Sequence, residues 1–271
     1  MVETARVYAV RSDVHGCIDL SREQFQQARQ YAGLFDLGDV EAKSIDRDHP
    51  LRCGQSAEEQ TMDAIIRNSV KSGDTFKCIT EDTIRDTLAS VQSMSCHLKE
   101  ALKAGFFYRG IAGNAAESWT RIFEAIADYD QQRRLQDLMD GFDLIRECSL
   151  EKVNKSVVIY LPWKAHLKTL TTTLSQLDEL DPARIVVLSH DYLTKASIRP
   201  EWQAKIRPMQ NEEQAVITLD FLSQRDCKIV ICYGHLGFEY EPAEVHFTYL
   251  GKEMTANHLD EKGGALLLLE L

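Results

Sequence analysis

The stretch RIVVLSHDY, residues 184–192, contains the pattern that decides the fold. Its residues IVVL form a continuous apolar run of β-forming side chains, and His190 follows soon after the run ends. Such runs are typical of strands that are covered on both faces, as in the parallel sheets of α/β proteins. The stretch therefore predicts a buried strand over 184–189 with an imidazole at its carboxyl end.

Apolar runs of the same kind recur along the chain and alternate with helical patterns. We predict strands at 5–11, 33–37, 106–112, 156–161, 184–189, 228–233, 245–250 and 265–271. We predict further helices at 79–104, 118–140, 165–179 and 211–224. This alternation of strand and helix favours an α/β layered core.

Local signals predict where several helices begin and end. Ser21 with Gln24, and Ser56 with Glu59, have the spacing of a capping box at a helix start. Gly105 follows the long pattern of residues 79–104, as expected of a glycine that ends a helix.

The helix-rich region 41–104 separates two predicted strands and is longer than a usual crossover connection. We therefore expect it to form a helical cap or insertion over one end of the sheet. No linker or internal repeat divides the rest, so residues 1–271 are interpreted as a single domain with this insertion.

Composition limits the classes of partner. The chain has 271 residues, 44% of them hydrophobic and 27% charged, which is the usual balance of a globular protein. Its formal net charge of -11 would repel a phosphate backbone, which argues against nucleic acid as a partner. No stretch approaches the roughly 20 apolar residues of a membrane span, so no membrane partner is expected. The oligomeric state cannot be read from these features.

The cysteines indicate the compartment. Seven cysteines are spread along the chain without a CxxC pair, which indicates neither a disulfide framework nor a zinc ribbon. A reducing environment fits this usage best. The N-terminal residues MVETARVYAV lack a positive leader and a long apolar segment. We therefore expect a cytoplasmic protein.

Polar side chains follow the ends of most of the predicted strands. In parallel sheets the carboxyl ends of the strands meet at one edge, where such folds bind ligands. Each of these residues alone has a simpler explanation as a turn residue or a hydrogen-bonded core residue. Together their carboxylates, imidazoles and amide form a mixed nitrogen and oxygen set suited to divalent ions. The residues are Asp13, His15, Asp36, Asp39, Asn114, His190 and His235.

The blocks DVH (13–15), GD (38–39), GN (113–114), SH (189–190) and GH (234–235) occur in an order that resembles the calcineurin-like metallophosphoesterases. The resemblance extends over most of the chain and includes the strand before each block. It implies a four-layer α-β-β-α sandwich with two packed sheets and a site for two divalent ions. Manganese is the first expectation for both ions, and iron or zinc is the alternative.

The resemblance also implies a role for each residue. Asp13 and His15 would bind the first ion, and Asp39 would bridge both ions because a carboxylate has two oxygens to share. The second ion would be bound by Asn114, His190 and His235. Catalysis would depend on Asp39 and His235, and Asp36 would support Asp39 from behind or simply make hydrogen bonds at its strand end. The expected substrate contains phosphate, and the expected reaction is hydrolysis of a phosphomonoester or phosphodiester by a bridging water.

Two positions depart from the family pattern. Ala115 stands where the family has a histidine that assists the leaving group, and an alanine cannot donate a proton. General-acid help of that kind is typically worth ~10²–10⁴-fold in rate. Gly237 replaces a second histidine at the first ion, although the phosphoprotein phosphatase branch assembles its ion pair without that residue. We therefore expect a weakened enzyme that favours aryl esters and anhydrides over alkyl esters.

The sequence leaves two other functions open. One is a non-catalytic relative in which the same fold serves as a scaffold for protein interaction, with Ala115 and Gly237 marking the loss of activity. A scaffold has no reason to retain Asp39, Asn114, His190 and His235 together, which favours the enzyme. The other is a nuclease, which the net charge and Gly237 argue against.

Further side chains could assist the reaction, but each has a simpler role. The candidates to replace the missing acid, each more typical of a surface or supporting position, are His49, His246, His258 and Asp191. Arginines often bind substrate phosphates, and Arg11, Arg47 and Arg109 lie near the blocks in sequence. For all three arginines we favour a surface salt bridge.

Overall fold

The structure is a computed structural model, which describes residues 6–12, 18–38, 81–113, 128–204, 206, 211–234, 242–259 and 266–271. The strands are β1 (Val7–Arg11), β2 (Leu34–Asp36), β3 (Tyr108–Gly110), β4 (Ser149–Val153), β5 (Ser156–Leu161), β6 (Arg184–Ser189), β7 (Lys228–Tyr233), β8 (Ala243–Tyr249), β9 (Lys252–His258) and β10 (Leu267–Glu270). The α-helices are α1 (Ile18–Ala28), α2 (Glu81–Lys103), α3 (Tyr129–Asp140), α4 (Leu167–Ser175) and α5 (Glu212–Ser223).

The strands form two mixed sheets. The first has four strands in the order β10-β1-β2-β3, in which β1, β2 and β3 run parallel and β10 is antiparallel to β1. The second has six strands in the order β4-β5-β6-β7-β9-β8, in which β5, β6, β7 and β9 run parallel and the two edge strands are antiparallel. The predicted α/β class is confirmed.

One hydrophobic cluster contains side chains from both sheets. Val10 and Phe35 of the first sheet belong to the same buried cluster as Val158, Val186 and Leu188 of the second. Every one of these five side chains is at most 1% exposed. Because strand residues alternate between faces, the strands present one face to this shared cluster and the other face to the helices.

Helices cover the other face of each sheet. On the first sheet, α1, α2 and α3 contribute to a second cluster, with Phe25, Leu98 and Leu135 as buried members. On the second sheet, Leu170 of α4 and Leu219 of α5 belong to a third cluster. Each helix therefore buries an apolar stripe against one sheet.

Helix α2 lies within the predicted insertion. Its buried side chains Leu88, Val91, Met94 and Leu98 recur at helical spacing and pack in the cluster over the first sheet. The helix ends near Gly105, whose φ of +76° is readily adopted only by glycine, and this confirms the predicted stop. Residues 41–80 lie outside the described residues, so the cap over the sheet end stays a prediction.

The sequence predicted the buried strands best. The strands at 156–161, 184–189 and 228–233 have the predicted bounds. Two strands were missed, namely β4 and β9, whose sequences SLEKV and KEMTANH contain no apolar run. Both are half of an antiparallel hairpin, so the backbone ladder with a neighbouring strand compensates for their weak hydrophobic pattern.

Three predicted helix starts were wrong or lie outside the described residues. Ser21 does not cap α1, because the helix already begins at Ile18 and Ser21 is buried inside it. The helix predicted over 118–140 is observed from Tyr129, after Asp128 accepts a hydrogen bond from the amide of Gln131 in a capping box. Residues 118–127, and the predicted Ser56 cap, lie outside the described residues.

No helix among the described residues combines the length and the apolar character needed to cross a bilayer.

Candidate functional site

The strand ends that precede the predicted ligands are aligned. In the first sheet, the last residues of β1, β2 and β3 are neighbours in register, as Arg11 pairs with Asp36 and Asp36 with Gly110. In the second sheet, Ser189 at the end of β6 pairs with Tyr233 at the end of β7. The carboxyl ends of β1, β2 and β3 therefore lie at one edge of the first sheet, and those of β6 and β7 at one edge of the second. The sequence predicted such aligned strand ends.

His190 connects the edges of the two sheets. It follows β6 in the second sheet, is 0% exposed, and its Nδ1 lies 2.7 Å from the carbonyl oxygen of Leu37, which follows β2 in the first sheet. A carbonyl oxygen only accepts, so Nδ1 is the donor in this contact, and in the neutral form of the ring the lone pair would be on Nε2. Metal-binding histidines commonly have this arrangement, in which a carbonyl fixes the ring and the tautomer.

Gly38 lies close to both this histidine and Gly113. Gly38 has a φ of +106°, and a Cβ atom added to it would lie 2.7 Å from Nδ1 of His190 and 2.8 Å from Cα of Gly113. No side chain fits in that space, so the backbone needs glycine here for both conformation and room. Gly38 and Gly113 immediately precede Asp39 and Asn114 in sequence, so three of the predicted blocks meet at this contact.

Asp36 contacts the backbone of Gly38 and the side chain of Arg11. It is 1% exposed, and its Oδ2 accepts a hydrogen bond from Nε of Arg11 at 2.6 Å. Its other oxygen, Oδ1, accepts from the backbone amide of Gly38 at 3.3 Å. The carboxylate therefore connects the end of β1 to the turn that leads into Asp39.

Arg11 was wrongly predicted to form a surface salt bridge. Its side chain is 1% exposed, Nη1 donates to Oγ of Ser21 at 3.0 Å and to Oε1 of Gln24 at 3.3 Å, and the guanidinium lies 4.8 Å from the ring centre of Phe25. The two polar residues that resemble a capping box in the sequence are thus partners of Arg11. The sequence did contain a signal for this buried pair. Arg11 ends one predicted buried strand and the oppositely charged Asp36 lies at the end of the next.

A histidine borders this buried group on the other side. The ring of His97 in α2 meets Phe25 edge to face, with ring centres 5.2 Å apart. Burial, together with the positive charges of Arg11 and Arg22, lowers the pKa of His97 below its ordinary value of 6.5. At neutral pH the imidazole is therefore neutral, which avoids a second positive charge beside Arg11.

The remaining predicted site residues lie outside the described part of the chain. Those residues are Asp13, His15, Asp39, Asn114, Ala115 and His235. Of the six predicted ligands only His190 is described, and Asp36 is the described residue predicted to support them. Among the described residues no group of three or more His, Cys, Asp or Glu side chains is arranged to hold a metal ion.

The structure places three of the four candidate replacement acids. His246 is exposed on β8, where its Nδ1 lies 3.1 Å from Oγ1 of Thr255. His258 is buried at the carboxyl end of β9, opposite Tyr233 of β7. Asp191 is buried and accepts a hydrogen bond from the amide of Tyr192 at 2.9 Å. His258 and Asp191 are thus at the same edge of the second sheet as His190, and His49 lies outside the described residues.

The other two arginines have different outcomes. Arg109 forms the predicted surface contact, since its Nε lies 3.8 Å from Oε2 of Glu151 and both side chains are more than a third exposed. Arg47 lies outside the described residues.

Comparisons with known proteins bear on the fold. No protein-family model matches this chain, and no curated protein matches it. Among solved structures, one crystal structure is similar to 98% of this chain over 95% of its own length, with a TM-score of 0.54 and 13% sequence identity. A likeness at this level of identity concerns the α/β fold alone.

Proposed function

We propose that this protein is a metal-dependent phosphoesterase related to the calcineurin-like metallophosphoesterases. It hydrolyses a phosphomonoester or phosphodiester, with a four-layer α-β-β-α sandwich as its fold. The observation that carries the proposal is the contact of His190 with Leu37 and Gly38. This contact joins the end of β6, which precedes His190, to the end of β2, which precedes Asp39. The shared cluster between the sheets supports the proposed layering.

The donor set fits two divalent ions such as Mn²⁺. The neutral form of His190 presents the Nε2 lone pair, and the proposed oxygen ligands are the carboxylates of Asp13 and Asp39 and the amide of Asn114. His15 and His235 complete the proposed set. When bound, the ions would polarise the phosphoryl group and activate the attacking water.

The residues of the chain set the remaining chemistry. Asp39 is proposed as the bridge between the ion positions, so its loss removes both positions at once. The methyl group of Ala115 cannot give a proton to the leaving oxygen, so the leaving group must depart as an anion. Aryl phosphates and phosphoanhydrides are therefore the favoured substrates, and simple alkyl esters are poor ones.

The test uses metal-free protein titrated with Mn²⁺ and assayed on p-nitrophenyl phosphate, bis(p-nitrophenyl) phosphate and an alkyl phosphate. We expect Mn²⁺-dependent turnover of at least one aryl ester, at a rate about 10²-fold or more above the alkyl ester. Asp39→Asn should abolish the turnover. The matched control is Asp226→Asn, which changes an exposed carboxylate before β7, at the other end of that strand, and should leave the rate unchanged.

Each other outcome is informative. Two ions bound without turnover on any ester would contradict the enzymatic function and leave a binding protein. No Mn²⁺ bound to the wild-type chain would contradict the metal site itself. That result would favour the non-catalytic scaffold, for which the same two sheets provide only a surface.

A further inference from the structure

The proposed reaction assigns no role to Arg11, yet its buried ion pair with Asp36 lies where two proposed ligand segments begin. Arg11 is the last residue of β1 and Asp36 is the last residue of β2, and the two are partners in register. Asp13 lies two residues beyond Arg11, and Asp39 lies three residues beyond Asp36. We propose that this ion pair positions the segments that carry Asp13, His15 and Asp39, an inference that rests on the proposed function.

Arg11 contacts the helix that follows the first of these segments. The residue stands immediately before the segment that carries Asp13 and His15, and its Nη1 bonds to Ser21 and Gln24 of the helix that follows the segment. One guanidinium group thus joins the end of β1 to the helix that follows the segment. The planar guanidinium fixes the direction of each hydrogen bond, which a lysine ammonium cannot do.

The contacts of Asp36 reach the second segment. One carboxylate oxygen accepts from Nε of Arg11, and the other accepts from the amide of Gly38, the residue before Asp39. Gly38 in turn packs on His190. The carboxylate of Asp36 therefore connects Arg11, which precedes the first segment, to Gly38, which precedes Asp39 and packs on His190.

Stability alone is a weak reason for an ion pair at this position. The side chains are 1% and 0% exposed, so both charges have lost their water. The cost of that desolvation commonly equals or exceeds the attraction, and apolar pairs of similar size often stabilise a fold as well or better. What an apolar pair cannot supply is directional contact to Ser21, Gln24 and the Gly38 amide. Positioning therefore explains the pair where stability does not.

The test separates positioning from stability. The double variant Arg11→Met with Asp36→Leu replaces the ion pair by apolar side chains. We expect the Mn²⁺ affinity of the metal-free protein, measured by calorimetry, to fall roughly 10–100-fold, as for other residues that support metal ligands. The unfolding temperature of the metal-free double variant should change little, because removal of two desolvated charges offsets the loss of a partner for Ser21 and Gln24. Arg11→Lys keeps the charge, and should lower the affinity by about threefold or more without changing the unfolding temperature.

The matched control changes another ion pair of the same two residue types. Arg225 and Asp178 also have a nitrogen to oxygen distance of 2.6 Å, but they lie before β7 and before β6, away from the carboxyl ends of these strands. Arg225→Met with Asp178→Leu should leave the Mn²⁺ affinity unchanged.

The outcomes that overturn the inference differ from those that overturn the function. Wild-type Mn²⁺ affinity in the double variant, or in Arg11→Lys if the double variant does not fold, overturns the positioning role and leaves the proposed function intact. A loss of affinity that follows an equally large loss of thermal stability in the metal-free Arg11→Lys protein also overturns it, because the role is then structural. No Mn²⁺ binding by the wild type overturns the proposed function and this inference together.

Discussion

At the scale of single residues, the site depends on the absence of side chains as much as on their presence. Gly38 and Gly113 allow two backbone segments and the ring of His190 to pack together at the carboxyl edge of the sheets. The backbone that leads into Asp39 is therefore fixed by packing at Gly38. The close packing of Gly38 with Gly113 and His190 therefore requires a residue without a side chain at position 38.

Gly38→Ala should destabilise the protein and weaken Mn²⁺ binding. A side chain at a φ of +106° costs about 1–3 kcal/mol, and the contact of 2.7 Å with His190 adds an overpacking cost of about 1–3 kcal/mol. The control is Gly105→Ala, because Gly105 also has a positive φ of +76° but has nothing within 4 Å of an added Cβ. Urea unfolding and Mn²⁺ calorimetry measure both effects. Equal destabilisation in the two variants, with unchanged Mn²⁺ affinity, would contradict the packing argument.

At the scale of elements, the second sheet is completed by a hairpin that the sequence did not reveal. Strands β8 and β9 are joined by Leu250 and Gly251, whose φ values of +46° and +83° are those of a two-residue type I′ turn. Leu250 is 75% exposed, so no burial compensates for its strained backbone. The hairpin forms because the ladder and the packing of Met254 and Ala256 outweigh an unfavourable turn residue.

Leu250→Asn should therefore stabilise the protein. Asparagine adopts positive φ more readily than leucine, and Asn-Gly is the preferred pair for this turn, so we expect a gain of about 0.5–1 kcal/mol in the free energy of unfolding. Leu250→Val is the control, because valine keeps the apolar surface but is still less suited to positive φ, and it should lower the stability. Urea unfolding of the three proteins measures the order, and stabilisation by valine would contradict the explanation.

The sequence predicted the strands that contain a continuous run of apolar residues. The run IVVL gave the correct bounds of β6, because a strand between two packed layers needs apolar residues on both faces. It did not reveal β9, whose residues Lys252 and Glu253 are polar and whose parallel pairing with β7 is non-local. The burial of Arg11 was missed for a related reason, since its partners Asp36 and Ser21 come from separate elements. Non-local polar pairing leaves little trace in one sequence.

At the scale of the whole molecule, the cluster between the sheets connects the two halves of the fold. Leu188 is 1% exposed and packs in the cluster that also contains Phe35 and Val10 of the first sheet. The predicted site takes residues from the ends of strands in both sheets, so its geometry depends on this packing. The sequence predicted that His190 and Gly38 follow strand ends, while the contact between them required the structure.

Leu188→Ala should destabilise the whole molecule in one transition. Truncation of a buried leucine typically costs about 2–5 kcal/mol, and because both sheets share the cluster, neither should unfold alone. Leu268→Ala is the control, since Leu268 is 48% exposed on β10 and should cost about 0.5 kcal/mol or less. Urea unfolding followed by far-UV circular dichroism and by tryptophan fluorescence should give coincident curves. Two separated transitions would contradict the shared core.

The pairing of β1 with β10 has a consequence for biosynthesis. These strands are the first and the last that the structure describes, and they form adjacent antiparallel partners, with Val7 opposite Glu270. A ribosome therefore releases β10 long after β1, and β1 has an unpaired edge throughout that interval. Contacts between such distant segments also close slowly, because a long loop must be ordered first. The first sheet is therefore completed only after β10 has been synthesised, although β1, β2 and β3 are the earliest strands that the structure describes.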